Sequence, residues 1–337
     1  MESETTPEAT YLEAIARAHR DAMRDDPTVF LMGQDVADYG GAFKLSVGLK
    51  EEFGAERVIN TPIAESGTIG MAVGAALLGR RPVVEMQFAD FVSCGFNQVV
   101  NVAAKIFYRM ERAVPLVLRL PCGGGVAAGP FHSQSPESWF LHVPGIKVVV
   151  PAFPGDAYEL LRAAIRDPNP VLYLEHKVLY RRIRGPIAGP GAPGDEEIWS
   201  RGVRPSARVV RPGSDVTVIS YGWMLHRSLE AADLLRDEGI AVEVIDLRVL
   251  APLDTETLKA SVRKTGKVLV VHEAPRTAGF GGEIAAMIAE ETFEFLDAPP
   301  RRLAYPETPV PFHRRLEDAS LPDPVSIARV ARELHRW

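Results

Sequence analysis

Asn60-Thr61-Pro62-Ile63-Ala64-Glu65-Ser66-Gly67 runs from the end of an apolar strand, Arg57-Val58-Ile59, into a small-residue helix expected over Gly67–Leu78. This order puts one carboxylate, Glu65, at a strand-to-helix turn, where open α/β sheets hold their ligands. Taken alone, a glutamate in a first helical turn serves the helix dipole. Gly70 and Gly74 stand where alanine would favour the helix more. That choice predicts that another group approaches this backbone closely.

Outward from this turn, helix-like and strand-like segments alternate. A helix opens at Thr10, with Glu13 completing a capping box. Strands are expected at Val29–Met32, Val58–Ile59, Pro82–Met86, Leu116–Leu118, Lys147–Val150 and Val171–Leu174. Between them fall helices over Lys44–Phe53, Gly67–Leu78, Cys94–Arg109, Ser135–Leu141 and Gly155–Arg166. Short apolar strands alternating with helices give an α/β fold with a doubly wound parallel sheet. The Gly/Pro-rich stretch from Gly185 to Gly194 reads as a linker, which divides the chain into domains at 1–185 and 207–337 with 186–206 between them. The second, smaller α/β domain has strands at Val216–Ser220, Val242–Ile245 and Val268–Val271. Its helices are expected at Leu225–Arg236, Thr255–Lys264, Gly281–Glu291 and in the tail from Asp323.

The 337 residues are 46% hydrophobic and can bury a large core. A net charge of −6 without a long basic run argues against nucleic acid and anionic membrane as partners. Two cysteines, Cys94 and Cys122, give neither zinc spacing nor a disulfide framework. No apolar run reaches membrane-spanning length and the acidic N-terminus lacks a signal-peptide core, so a cytoplasmic location is expected.

Standard catalytic patterns are absent: there is no Walker P-loop, no Gly-x-Ser-x-Gly elbow and no His-Glu-x-x-His. The glycine-rich loop Pro121–Pro130 can cradle a phosphate or simply be a loop, because glycine gives backbone access without naming a ligand. His132 follows it and is an acid/base candidate; as a bare motif it also fits a surface or capping histidine. In Glu85-Met86-Gln87-Phe88-Ala89-Asp90-Phe91 the two aromatics suit either core packing or stacking on a planar ring.

The three segments together resemble the β subunit of the thiamine diphosphate-dependent decarboxylating component of 2-oxo acid dehydrogenase complexes. The likeness continues through Pro144–Val149, Ala164–Pro170, Glu175–Arg181, Asp246–Arg248 and His272–Arg276, nearly the whole chain. It implies a transketolase-like pyrimidine-binding domain followed by a C-terminal domain. By this resemblance Glu65 is the residue that hydrogen-bonds the cofactor's aminopyrimidine N1′, Phe91 stacks on that ring, and Ile63 lies against the cofactor. His132 matches the histidine of reductive acylation of the lipoyl group. The carbonyls of Leu116, Ala164, Asp167 and Asn169 match a potassium (K+) site of some members.

The Gly-Asp-Gly motif that holds Mg2+ and the diphosphate is missing from the sequence. The resemblance places that half of the site on a separate α subunit, in an α2β2 heterotetramer that works with a lipoyl acyltransferase. The segments quoted favour a branched-chain 2-oxo acid substrate over pyruvate or acetoin; a non-catalytic assembly subunit is the alternative from another class. A self-sufficient transketolase-like enzyme is disfavoured by length and by the missing magnesium motif. Two positions depart from the family pattern: Gln34 and Asn97 stand where many members have carboxylates, a swap that preserves shape but not charge. His226 and His272 are read as structural, and Arg314, Arg315, Glu317 and Asp318 as a solvated face.

Overall fold

The computed structural model describes residues 8–187 and 202–337. Most of the segment expected as a linker, residues 188–201, lies outside them. The chain forms two compact units: one from the residues up to Cys122 together with Phe140–Arg204, the other from Gly123–Trp139 together with Pro205–Trp337. The loop carrying His132 therefore groups with the second unit, a placement that a linear division of the sequence does not reveal.

The first unit contains β1 (Glu8–Thr10), β2 (Val29–Gly33), β3 (Val58–Asn60), β4 (Arg81–Glu85), β5 (Val117–Cys122), β6 (Lys147–Val149), β7 (Val171–His176) and β8 (Arg184–Pro186). Strands β2 to β7 lie in the order β6-β7-β5-β4-β2-β3 with every neighbouring pair parallel, while β1 and β8 form a separate antiparallel ribbon. All residues of β2, β5 and β7 are buried, as helices on both faces of a parallel sheet require. The Thr10 capping box forms as expected and starts the helix Tyr11–Asp25, which packs on the helix Pro154–Arg166. That contact carries polar ties at its rim, Tyr158 Oη to Asp21 at 2.9 Å and Arg162 to Asp25 at 2.7 Å.

Two helices differ from expectation. The one expected over Lys44–Phe53 begins only at Leu49, because Lys44 and Gly48 sit at positive φ (68° and 79°) and wind the chain into turns first. The long helix expected over Cys94–Arg109 is broken into a 3₁₀ segment, Ala89–Gly95, a π-helical turn, Gln98–Ala103, and an α-helix, Ala104–Met110. A Cβ on Gly95 would stand 2.4 Å from Ile69 Cδ1, so this segment is pressed onto the helix Glu65–Leu77. π-Turns of this kind recur beside functional sites.

The second unit contains β9 (Arg208–Arg211), β10 (Val216–Ser220), β11 (Val242–Asp246), β12 (Val249–Ala251), β13 (Val268–Pro275) and β14 (Arg301–Tyr305). Its sheet runs β14-β13-β10-β11-β9, parallel except for β9. The edge strands β9 (Arg-Val-Val-Arg) and β14 (Arg-Arg-Leu-Ala-Tyr) escape the sequence pattern because their arginines leave only two or three consecutive apolar residues, and most of their residues stay half-exposed, the usual dress of an edge. Among the described residues no helix is long and apolar enough to cross a membrane.

Candidate active site

Gly33, at the end of β2, is in register with both Asn60 of β3 and Glu85 of β4. The segments leaving these three strands therefore start side by side at the carboxyl edge of the sheet, where this fold class binds ligands. Glu65 opens the helix Glu65–Leu77 five residues beyond β3 and is half-buried. Gln34, one residue beyond β2, donates its amide N–H to Glu65 Oε1 at 3.4 Å. The position where the sequence departs from the family pattern thus touches the candidate carboxylate. The turn behind it is fixed by Asn60, whose side-chain oxygen accepts from the Ala37 N–H at 2.7 Å, and by Asp35 at φ 58°.

Phe91 is half-buried and meets Phe88 edge to face at 5.9 Å; Phe88 meets Phe43 likewise at 5.6 Å. Phe43, Phe88 and Phe91 are all half-buried, so the aromatic run packs on itself while each ring keeps some exposure. Ile63 is 83% exposed. Close approach to the helix backbone is only partly met: Gln98 Oε1 would lie 3.6 Å from a Cβ on Gly70, while among the described residues nothing comes within 4 Å of one on Gly74.

Beneath the site lies a charged group that motif reading missed. Arg119 of β5, 1% exposed, makes two bonds to Glu175 (2.5 and 2.7 Å) and one to Glu85 (2.6 Å), and Tyr180 Oη donates to Glu175 at 2.8 Å. Burial pushes the Glu85 carboxyl up against the pull of Arg119. The guanidinium itself is held above its ordinary pKa: burial opposes its charge, but Glu175 and Glu85 outweigh that. Burial, helped by Arg119, pushes the imidazole of His19 well down. The sequence signal is a charged residue within or at the end of a buried apolar run: Glu85 after Val83-Val84 in β4, Arg119 in β5 and Glu175 in β7.

Of the carbonyls matched to potassium, that of Leu116 accepts from Val171 N–H at 2.9 Å, Ala164 from Asp167 N–H at 3.2 Å, and Asp167 from Arg81 at 3.3 Å. The Asp167 carboxylate is buried and bonds Lys147 (2.6 Å), Val203 N–H (2.8 Å) and Asn169 N–H (2.9 Å). Among the described residues no group of three or more His, Cys, Asp or Glu side chains is placed to hold a metal.

His132 lies in the second unit, half-buried, with its backbone N–H on the Gly129 carbonyl at 3.3 Å. Glu317 corrects the expectation of a solvated face: it is 0% exposed and faces inward from the helix Arg314–Ser320, leaving Arg314 and Asp318 to pair outside at 2.9 Å. Tyr221 Oη donates to Glu137 at 2.7 Å, and its ring stacks on His272 with centroids 6.5 Å apart. Burial pushes Glu137 up to about 7 and His272 down to about 4. The raised carboxyl contributes stability below pH 4.5 that is lost as pH rises through 7; the depressed imidazole contributes stability above pH 6.5 that is lost as pH falls through 4. Each is worth about 3 kcal/mol, so the two largely cancel between these limits. Glu137→Gln is expected to unmask His272: urea-unfolding stability should then fall by about 3 kcal/mol from pH 6.5 to 4 beyond any change in the parent protein. Equal pH slopes in the two proteins would refute the coupling.

Comparison with known proteins identifies both halves of the chain. Residues 7–182 match the transketolase pyrimidine-binding domain and residues 206–327 the transketolase C-terminal domain. The chain is 44% identical over 328 residues to the 2-oxoisovalerate dehydrogenase subunit beta of Bacillus subtilis, covering 96% of this chain and 98% of that one. It is 45% identical to the 3-methyl-2-oxobutanoate dehydrogenase subunit beta of Mycobacterium tuberculosis (96% and 90% covered). Identity is 42% to the pyruvate dehydrogenase E1 component subunit beta-2 of Oryza sativa (98% and 87% covered). A solved split-gene transketolase, an inactive β4 tetramer, shares the fold with a TM-score of 0.76 at 22% identity, covering 97% of this chain and 98% of that chain. The fold and the two matched domains define a transketolase-like α/β protein. Within that class the chain belongs to the family of 2-oxo acid dehydrogenase β subunits.

Proposed function

We propose that the chain is the β half of a thiamine diphosphate-dependent 2-oxo acid dehydrogenase acting on a branched-chain substrate such as 2-oxoisovalerate. The observation that carries the reading is Glu65, half-buried at the carboxyl edge of the sheet and tied to Gln34, with the segment Ala89–Gly95 that bears the half-buried Phe91 pressed against the start of its helix. These residues fit the aminopyrimidine end of the cofactor: a partly open carboxylate for a ring nitrogen, a partly open aromatic face for the ring, and the exposed Ile63 two residues before Glu65 as the proposed apolar contact. The diphosphate end and its Mg2+ find no counterpart in this chain, which has no Gly-Asp-Gly and no metal cluster among its described residues. They fall to an α subunit. When bound, thiamine diphosphate supplies the electron sink that lets the 2-oxo acid lose CO2.

For its own part, Glu65 holds and returns a proton at the pyrimidine nitrogen, and Gln34 keeps that carboxylate aimed. His132 serves transfer of the acyl group to the lipoyl arm of an acyltransferase. An α2β2 assembly is supported by exposed apolar side chains around the site and its helices: Ile63, Met71, Leu78, Phe107 and Tyr108, the last 93% exposed. The carbonyls of Leu116, Ala164, Asp167 and Asn169 remain the proposed K+ ligands, and the domain limits 1–185 and 207–337 the proposed division. Pyruvate is the second substrate reading, favoured by the identity to the rice protein.

The test is 2-oxo acid-dependent reduction of an artificial electron acceptor by this chain co-expressed with its α partner. Turnover should require both chains and thiamine diphosphate, and prefer 2-oxoisovalerate over pyruvate by about 10–200-fold, the reach of methylene-sized pocket differences. A well-formed complex that turns over no 2-oxo acid would make the chain an assembly subunit instead.

A further inference from the structure

The loop at residues 123–139 winds with positive φ at alternate residues: Gly123 (88°), Gly125 (78°), Ala127 (56°) and Gly129 (74°). Alternating hands of this kind turn successive N–H groups to one side and make a concave cradle for an anion. The chain fills that cradle itself. Glu273, on β13, accepts from the Gly124 N–H and, at 3.4 Å, from Ser135 Oγ. Glu317 accepts from the Ala127 N–H at 2.7 Å. The two carboxylates converge on one point, since a Cβ on Gly124 would lie 3.1 Å from Glu317 Oε1 and 3.4 Å from Glu273 Oε1. Arg314 adds a bond to the Gly125 carbonyl at 3.1 Å, and Tyr221 fixes Glu137 at the far end.

The phosphate alternative for this loop is thereby displaced, because two of its N–H groups are already committed to carboxylates. Yet the arrangement is costly. Glu317 is fully buried and forms no ion pair among the described residues, and Ala127 is a non-glycine residue in the left-handed region. An apolar plug would secure the loop more cheaply. What carboxylates add is direction, since each fixes a particular N–H.

We propose that Glu273 and Glu317 are positioning residues for His132, holding its loop in one conformation so that the imidazole meets the acyl group and the lipoyl arm in register. This rests on the reading of His132 given above, whereas the clamp itself is independent of it. The experiment uses the complex of both subunits, with Glu317→Ala and Glu317→Gln. Hydrogen exchange at the amides of residues 124–135 is read alongside two rates, artificial-acceptor reduction and reductive acylation of a free lipoyl domain. Glu317→Ala is expected to speed loop exchange about tenfold or more. It should lower lipoyl acylation by about tenfold or more relative to acceptor reduction. Glu317→Gln keeps an oxygen for the Ala127 N–H and should recover most of both. Should Glu317→Ala fail to assemble, Glu317→Asp, which withdraws the carboxylate by one methylene, gives the same readouts. Unchanged exchange overturns the clamp, and faster exchange with both rates falling in step overturns the positioning role. If the parent complex turns over no 2-oxo acid, the functional reading fails alone, and the exchange data still decide the clamp.

Discussion

Arg119→Met is expected to destabilise the first unit by about 3–5 kcal/mol at pH 7, because it leaves Glu85 and Glu175 buried without their cation. Arg119 is 1% exposed, and Glu85 and Glu175 are also buried, so water cannot replace the lost bonds. The pH dependence gives the mechanism away. Removing the guanidinium takes away the positive charge that pulls the Glu85 pKa down and leaves the burial that pushes it up. A carboxyl with a raised folded-state pKa costs stability as pH rises, so the deficit should shrink below the ordinary carboxylate range near pH 4.5 and be full at neutral pH. Urea unfolding of the variant and its parent at pH 7 and pH 4.5 measures both ends. The triple change Arg119→Met, Glu85→Gln, Glu175→Gln should recover much of the loss, since neutral groups bury at lower cost. A single variant within 1 kcal/mol of the parent would mean that the triad is hydrated or relaxes freely.

Such a triad shows where sequence reading stops. Binary pattern located strands β2 to β7, the inner strands β10, β11 and β13 of the second unit, and the capping box at Thr10, because each of those signals is written within a few neighbouring residues. Glu85, Arg119 and Glu175 belong together only through the register of β4, β5 and β7, which no local window contains. The same holds for Gln34: its amide meets Glu65 across 31 positions of chain because β2 and β3 end together. Glu317 misleads for a different reason. It sits among charged neighbours, so its composition reads as surface, while the helix Arg314–Ser320 turns that one side chain inward. The candidate carboxylate itself was legible, since Glu65 needs only the order strand, turn, helix. Its electrostatic partners were not.

Glu65→Gln should reduce turnover by about 10²–10⁴-fold, the range lost when a positioned acid/base group is removed. The change is nearly isosteric: an amide can still face Gln34 Nε2, which lies 3.4 Å from the parent oxygen, and still lie at the start of the helix Glu65–Leu77. What the amide cannot do is carry a proton to and from a ring nitrogen. Thiamine diphosphate affinity, followed by quenching of tryptophan fluorescence, should therefore weaken far less than kcat falls, so that the loss falls on the chemical step rather than on binding. A structural role for Glu65, confined to the helix dipole, predicts the reverse: a cost of about 0.3–1 kcal/mol in stability and an unchanged kcat. Gln34 sharpens the distinction. Gln34→Leu removes the donor that reaches Glu65 from the turn after β2 without touching the carboxylate, so it should lower kcat by a smaller factor and leave the Glu65→Gln variant unaffected. Independent, additive losses in the double variant would show that Gln34 serves the turn after β2 and not the carboxylate.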